Sequence, residues 1–259
     1  PSPSTHGPAN PDTRRKQGVS TPYAGLVYDL PPTLSAYASY TSIFLPQQAQ
    51  TVSGSGIAPI KGNTYEIGLK SAWLDGRLNG ALALFRTRQD NYAMVDGDKL
   101  APNGDSAYVA ANGAVLRGVE AELSGQLAPG WQMQLSYAYV DRRLPTGFST
   151  QVGLPRHIAK LYTTYRLPGD WSALTVGGGV RWESQSGFTS RGPGGQQFDS
   201  SQSSYALVDL MARYQFNRQW SATLNLNNVL DKKYYASTNI YSNYYGAPFG
   251  AMLGVNYRY

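Results

Sequence analysis

The sequence contains no cysteine, which excludes a disulfide framework, a zinc–thiolate centre and a cysteine nucleophile. Histidine is nearly as scarce. His6 and His157 are the only two, too few for a histidine-rich metal centre. Charge is thin as well, at 15% of residues against roughly 25% in an ordinary soluble domain. No apolar run approaches the roughly 18 residues that a membrane-spanning helix needs. The chain opens Pro1-Ser2-Pro3-Ser4, with neither an initiator methionine nor an apolar leader. Either a leader has been removed or this is the later part of a longer chain. What the chain has in quantity is tyrosine (20), glycine (28) and proline (16), a mixture suited to strands and turns and poor for helices. Its net charge of +6 comes from scattered basic residues, apart from Arg14-Arg15-Lys16. Without a basic stripe or zinc-finger spacing, nucleic acid is not the expected partner.

The dominant pattern is alternation. In Trp220-Ser221-Ala222-Thr223-Leu224-Asn225-Leu226-Asn227 the apolar residues share one face and the polar residues the other. Trp131–Tyr137, Tyr65–Lys70 and Val119–Leu123 repeat the period of two. Turn clusters at Pro31-Pro32-Thr33, Leu74-Asp75-Gly76, Ala128-Pro129-Gly130, Pro168-Gly169-Asp170 and Asn217-Arg218-Gln219 punctuate the alternation. Between them fall longer polar loops near 45–59, 95–107, 144–154, 186–202 and 231–246. The result is an all-β, antiparallel up-and-down array of eleven strands near 22–30, 34–44, 60–73, 77–94, 107–127, 131–143, 155–167, 171–185, 203–216, 219–230 and 248–259. Residues 1–21 read as loop or linker.

A soluble sandwich and a membrane barrel both accept such strands, but a sandwich strand typically runs about 5–6 residues and a membrane strand about 9–11. Here the strands are long, and one face carries Lys70, Glu120, Glu122, Asp209, Arg213, Asn225 and Asn227. Trp73, Trp131, Trp171 and Trp220 flank the tight turns, as an interfacial girdle does, and short turns oppose long loops. The balance favours a transmembrane barrel. Bacterial single-chain barrels have even strand numbers, with short turns on the periplasmic side. Eleven strands ending at the short-turn side therefore predict part of a larger barrel.

Four stretches carry a resemblance to the C-terminal barrel half of TonB-dependent outer-membrane receptors, the ferric-siderophore group in particular. Asn225-Leu226-Asn227-Asn228-Val229-Leu230-Asp231-Lys232-Lys233-Tyr234 is similar to the penultimate-strand motif N-x-x-N-L-x-D-x-x-Y, with valine at the usual leucine. Tyr65-Glu66-Ile67-Gly68-Leu69-Lys70 resembles Y-E-x-G-x-K, and Arg117-Gly118-Val119-Glu120-Ala121-Glu122 resembles R-G-x-E-x-E. Gly254-Val255-Asn256-Tyr257-Arg258-Tyr259 resembles the terminal strand read by the barrel-assembly machinery, with tyrosine at the commoner final phenylalanine.

The resemblance implies half of a 22-stranded barrel over residues 22–259, without the plug domain, TonB box and first barrel half, in the outer membrane and in contact with its lipid. It implies a receptor that imports ferric siderophores with energy supplied through TonB by way of the plug. Iron would arrive chelated, with no cofactor, resident metal or catalytic residue in the chain. Ligand capture falls to loop aromatics and cations: Tyr235, Tyr241, Tyr244 and Tyr245 in the last long loop, Phe188 and Arg191 in the 186–202 loop, and Tyr92 and Tyr108 beside the 95–107 loop. Tyrosines at strand ends also form interfacial belts that bind nothing. Asn228 and Asp231 are expected to shape the end of their strand through side-chain to backbone bonds, and His157 to be structural. A passive porin-like or adhesin-like barrel is the runner-up, ahead of an enzyme barrel and a soluble carbohydrate-binding sandwich.

Overall fold

A computed structural model describes residues 18–30, 32–145, 154–191, 197–237 and 243–259. Seventeen strands follow one another in these residues: β1 Tyr23–Leu30, β2 Leu34–Leu45, β3 Ile60–Trp73, β4 Leu78–Asp90, β5 Tyr92–Leu100, β6 Ser106–Ala111, β7 Ala114–Ala128, β8 Trp131–Arg143, β9 His157–Arg166, β10 Leu174–Glu183, β11 Ser186–Arg191, β12 Gln197–Gln202, β13 Tyr205–Gln215, β14 Trp220–Asn227, β15 Tyr235–Ser237, β16 Tyr244–Tyr245 and β17 Gly250–Tyr257. A 3-10 turn, Gly169–Trp171, lies between β9 and β10. Eleven strands make one antiparallel sheet in the order β1-β2-β3-β4-β7-β8-β9-β10-β13-β14-β17, each paired with its neighbours in the chain once the short hairpins are set aside. The sheet is open, with β1 and β17 at its edges.

The expected eleven strands are therefore present, and two of them end sooner than the alternation suggests. The strands expected at 77–94 and 107–127 break at Asn91 and Gly113, whose φ angles are 61° and 81°. The Asn91 amide donates to Asn112 Oδ1 at 2.8 Å, and the Gly113 amide donates to Asp90 Oδ1 at 2.7 Å. These bonds turn the chain out of the sheet into the separate β5–β6 hairpin. The loops expected at 186–202 and 231–246 likewise contain small hairpins, β11–β12 and β15–β16, because ladder hydrogen bonds come from the backbone and need no apolar face. Most of the expected 1–21 linker and the 144–154 loop lie outside the described residues, while 18–22 form no strand.

The register shows how the two faces are used. Ile67 pairs with Leu84, Leu84 with Val119, Val119 with Tyr139, Leu135 with Leu161, Leu161 with Val180, and Leu224 with Leu253. All of these sit on one face. Leu253 is 69% exposed and Ile67 56%, and no large side chain is fully buried among the described residues. A water-soluble sheet would cover such a face, and a barrel turns it to lipid. Lys70, Glu120, Glu122, Asp209, Arg213, Asn225 and Asn227 occupy the opposite face, as the alternation predicts.

Tryptophans mark the short-turn edge of the apolar face. The Trp131 indole donates to Thr163 Oγ1 at 2.8 Å and meets Tyr165 edge-on at 6.4 Å. Trp220 lies 4.8 Å from Tyr257. Both indole rings stay partly exposed at the border of the apolar face, the position of a membrane-interface belt.

Candidate ligand site at the long-loop end

The end opposite the tight turns carries three small hairpins and the folded segment 46–59. That segment is held by its own backbone and by Gln47, whose Nε2 donates to the carbonyls of Ala58 and Asn91. Gln50 bridges Gly56 and accepts a bond from the Tyr108 amide at 2.8 Å. Between this segment and the β5–β6 hairpin lies a cleft of about 1040 Å³, lined by residues that include Gln47, Gln50, Asn103, Asp105 and Tyr108.

The expected ligand residues separate into groups. Tyr235 and Tyr245 stack at 4.7 Å with rings 20° apart and hydroxyls 3.4 Å apart. Hydrogen bonding to Tyr245 raises the Tyr235 phenol above its ordinary pKa. Tyr244 is exposed next to them, and Tyr241 lies outside the described residues. Phe188 and Arg191 belong to β11, with Ser200 and Gln197 as their backbone partners. Two bonds tie the β11–β12 and β15–β16 hairpins together: the Tyr235 amide donates to Gln202 Oε1 at 2.7 Å, and Asn243 Nδ2 donates to Ser200 Oγ at 3.1 Å. Tyr92 and Tyr108 do not meet. Tyr92 pairs with Ala111 and Tyr108 with Val95, which puts the two tyrosines on opposite faces of their hairpin. Only Tyr108 lines the cleft.

Asn228 and Asp231 act as expected. Their φ angles of 50° and 47° end β14. Asn228, buried at 4% exposure, donates from Nδ2 to the carbonyls of Lys232 and Ala247 and accepts from the Lys232 amide. Asp231 accepts from the Phe249 amide at 2.9 Å. This polar knot brings the chain back from the last loop into β17.

Below the hairpins, on the polar face, is a cluster that sequence reasoning overlooked. Tyr205 and Tyr234 stack at 4.8 Å, and the Arg181 guanidinium stands 6.0 Å from the Tyr234 ring centre. The Tyr205 hydroxyl donates to Glu183 Oε2 at 2.9 Å, and Arg181 Nε lies 3.5 Å from Glu183 Oε1. That Nε is shielded from solvent and makes no hydrogen bond. Gly246 packs so closely on the Tyr234 ring that any side chain there would collide with it. Lys160 sits directly opposite Arg181 in the register, so two cations share this part of the wall. The signal was present in the alternation of β10, which turns Arg181 and Glu183 to the polar face. Tyr234 closes the penultimate-strand motif, and Tyr205 falls near the start of the strand expected at 203–216.

His157 stands apart on the apolar face. Its ring lies 4.7 Å from that of Tyr139, tilted by 36°, and its Nδ1 is 2.8 Å from the Tyr137 hydroxyl. No group of three or more metal-ligating side chains occurs among the described residues.

Comparison with known proteins agrees with this geometry. Residues 2–229 match the family model described as TonB dependent receptor-like, beta-barrel. The chain is 40% identical over 247 residues to a ferric-pyoverdine 358 receptor of Pseudomonas putida, covering 94% of this chain and 30% of that protein. It is 41% identical over 254 residues to the ferripyoverdine receptor of Pseudomonas aeruginosa, covering 95% of this chain and 31% of that protein. A crystal structure of the Pseudomonas aeruginosa outer-membrane ferripyoverdine receptor bound to ferripyoverdine superposes with a TM-score of 0.83 at 42% identity, over 92% of this chain and 32% of that one. The chain thus spans about three tenths of the length of these relatives.

Proposed function

Because this chain belongs to the TonB-dependent receptor-like β-barrel family of the outer membrane, we propose that it forms the C-terminal part of the barrel of a ferric-siderophore receptor. In this reading a plug domain and the remaining strands come from the rest of a longer protein, and the siderophore is of the pyoverdine class named for the relatives. The iron is cargo held by its chelator.

The observation that carries the proposal is the Arg181–Tyr205–Tyr234 cluster. The Arg181 side chain is 40% exposed and holds Glu183 only loosely, at 3.5 Å, so its outer guanidinium donors can take a ligand oxygen. An anionic chelate supplies such oxygens, and the stacked tyrosines supply apolar area and π-faces for its aromatic part. The Tyr235–Tyr245 pair forms a second platform nearer the solvent. Capture needs no bond of the ligand to break. Release towards the periplasm would follow rearrangement of the plug under TonB, and Gly254–Tyr259 would be the segment that engages the barrel-assembly machinery.

The test is binding of radiolabelled ferric pyoverdine to the full-length protein, followed by uptake in cells with and without TonB. Arg181→Gln and Tyr234→Ala should each weaken binding by about tenfold, the scale of one charge-assisted or cation–π contact. Unchanged affinity in both variants would remove this cluster from the ligand path. Uptake that persists without TonB would favour the passive barrel.

A further inference from the structure

A second cationic cluster lies on the opposite, apolar face, where a ligand in the barrel interior cannot reach it. In β4 the outward residues run Leu82, Leu84, Arg86, Arg88, and in β7 they run Leu123, Ala121, Val119, Arg117 towards the long-loop end. In β8 Tyr137 and Tyr139 precede Asp141 and Arg143. The apolar band therefore gives way to arginine on three adjacent strands at one height. One register line reads Tyr40–Tyr65–Arg86–Arg117–Asp141, and the next reads Asn63–Arg88–Val115–Arg143. The Tyr40 and Tyr65 rings, 5.3 Å apart, place the first line at the level of an interfacial aromatic belt.

Arg86 and Arg117 are direct cross-strand partners, an arrangement of like charges that opposes pairing. Asp141 does not neutralise the group. Its Oδ2 accepts from Arg117 Nε, and from Arg143 Nε at 3.1 Å, while its side chain is only 9% exposed. It is shared between two guanidinium groups and holds both at the surface. Arg88 has a loose contact with Asp90 at 3.8 Å, and Arg86 has no carboxylate partner among the described residues. Four arginines against Asp90 and Asp141 leave a net charge of +2 on a surface whose lower border faces hydrocarbon.

We infer that this outer face binds the phosphate groups of a phosphorylated glycolipid anchored in the outer leaflet, with Arg86 and Arg117 as the principal contacts and Asp141 as the residue that positions Arg117 and Arg143. A phosphate between Arg86 and Arg117 offsets their repulsion and accepts the planar, bidentate donors that arginine offers. Its acyl chains lie along Leu82, Leu84, Val119 and Ala121 immediately below, so one molecule satisfies both parts of the surface. Basic pockets on membrane proteins that hold lipid headgroups have this composition. The inference uses the sidedness adopted above, in which the long-loop end faces outward, and it involves none of the residues assigned to the siderophore.

The experiment is native mass spectrometry of the full-length, detergent-solubilised protein titrated with bisphosphorylated lipid A, dephosphorylated lipid A or inorganic phosphate. Wild type should prefer the bisphosphorylated lipid. Arg86→Gln/Arg117→Gln should lower its apparent affinity by at least about tenfold, given the strength of arginine–headgroup contacts. Dephosphorylated lipid should bind wild type and variant equally. Arg86→Lys/Arg117→Lys, which keeps the charge but not the bidentate fork, should bind with intermediate affinity, and equal binding of the dephosphorylated lipid by every variant shows that the loss is not a folding defect. Equal retention of the bisphosphorylated lipid by wild type and the glutamine variant would overturn the inference. Inorganic phosphate binding as tightly as the lipid would overturn the assignment to a membrane source. Ferric pyoverdine binding, measured on the same samples, reports separately on the function proposed above.

Discussion

At the residue scale, the proposed ligand cluster depends on side chains placed by their neighbours. Gly246 allows Tyr234 to lie against it and stack on Tyr205. Gly246→Ala should displace the Tyr234 ring, lower the affinity for ferric pyoverdine and leave barrel folding intact, since the change lies outside the eleven-stranded sheet. Normal affinity with the stack disrupted in near-ultraviolet dichroism would show that the ligand does not use it. Tyr235 and Tyr245 make a pH-dependent pair. The raised Tyr235 pKa means that the pairing contributes fully below the ordinary tyrosine pKa of about 10 and is lost as pH rises through the raised value. Spectrophotometric titration should find a late-ionising phenol that returns to ordinary behaviour in Tyr245→Phe. If Tyr245→Phe leaves the titration curve unchanged, the two hydroxyls are not coupled.

At the scale of the element, strand parity sets the cost of a substitution. Leu84 faces outward between Ile67 and Val119, whereas Ala83, one residue earlier, faces the polar side between Gly68 and Glu120. Leu84→Arg, in the apolar band but only two residues from the interfacial Arg86, should cost about 1–2 kcal/mol, between the interface and midplane values. Ala83→Arg meets a carboxylate and water and should cost far less. Folding titrations of the full-length protein into lipid vesicles measure both, and equal costs would contradict the assignment of faces. The hairpins follow a different rule. Asn91 and Gly113 adopt positive φ and are fastened by Asn112 and Asp90, so β5–β6 leaves the sheet although its residues could have continued the strands.

At the scale of the whole molecule, the sheet has two unpaired edges, β1 and β17. Strand edges in a bilayer leave backbone groups without partners, each costing several kcal/mol on the order of polar-group transfer. This chain on its own should therefore aggregate or pair with a second copy. Analytical ultracentrifugation in detergent decides the matter, and a folded, monodisperse monomer would refute it. The open sheet also explains the scarcity of buried large side chains: one face is matched to lipid, and the other is a polar wall matched to whatever fills the barrel.

Much of this protein was legible in the sequence because a membrane strand must alternate at every residue. The period of two, the turn clusters and the tryptophans at the tight turns determined eleven antiparallel strands, their order and the two faces, and the motif around Asn228 and Asp231 identified the knot that closes the last loop. The site was less legible. Tyr235 and Tyr245 could be named as aromatics of the last loop, but pairing across a hairpin was needed to stack them and to separate Tyr92 from Tyr108. Arg181, Tyr205 and Tyr234 come from three separate segments of the chain, and only register and loop closure bring them into one cluster. The arginines of the outer face required the same information. Alternation along one strand is local and can be read from neighbouring residues, whereas the height at which residues of different strands meet depends on hydrogen-bond register, which tertiary pairing alone decides.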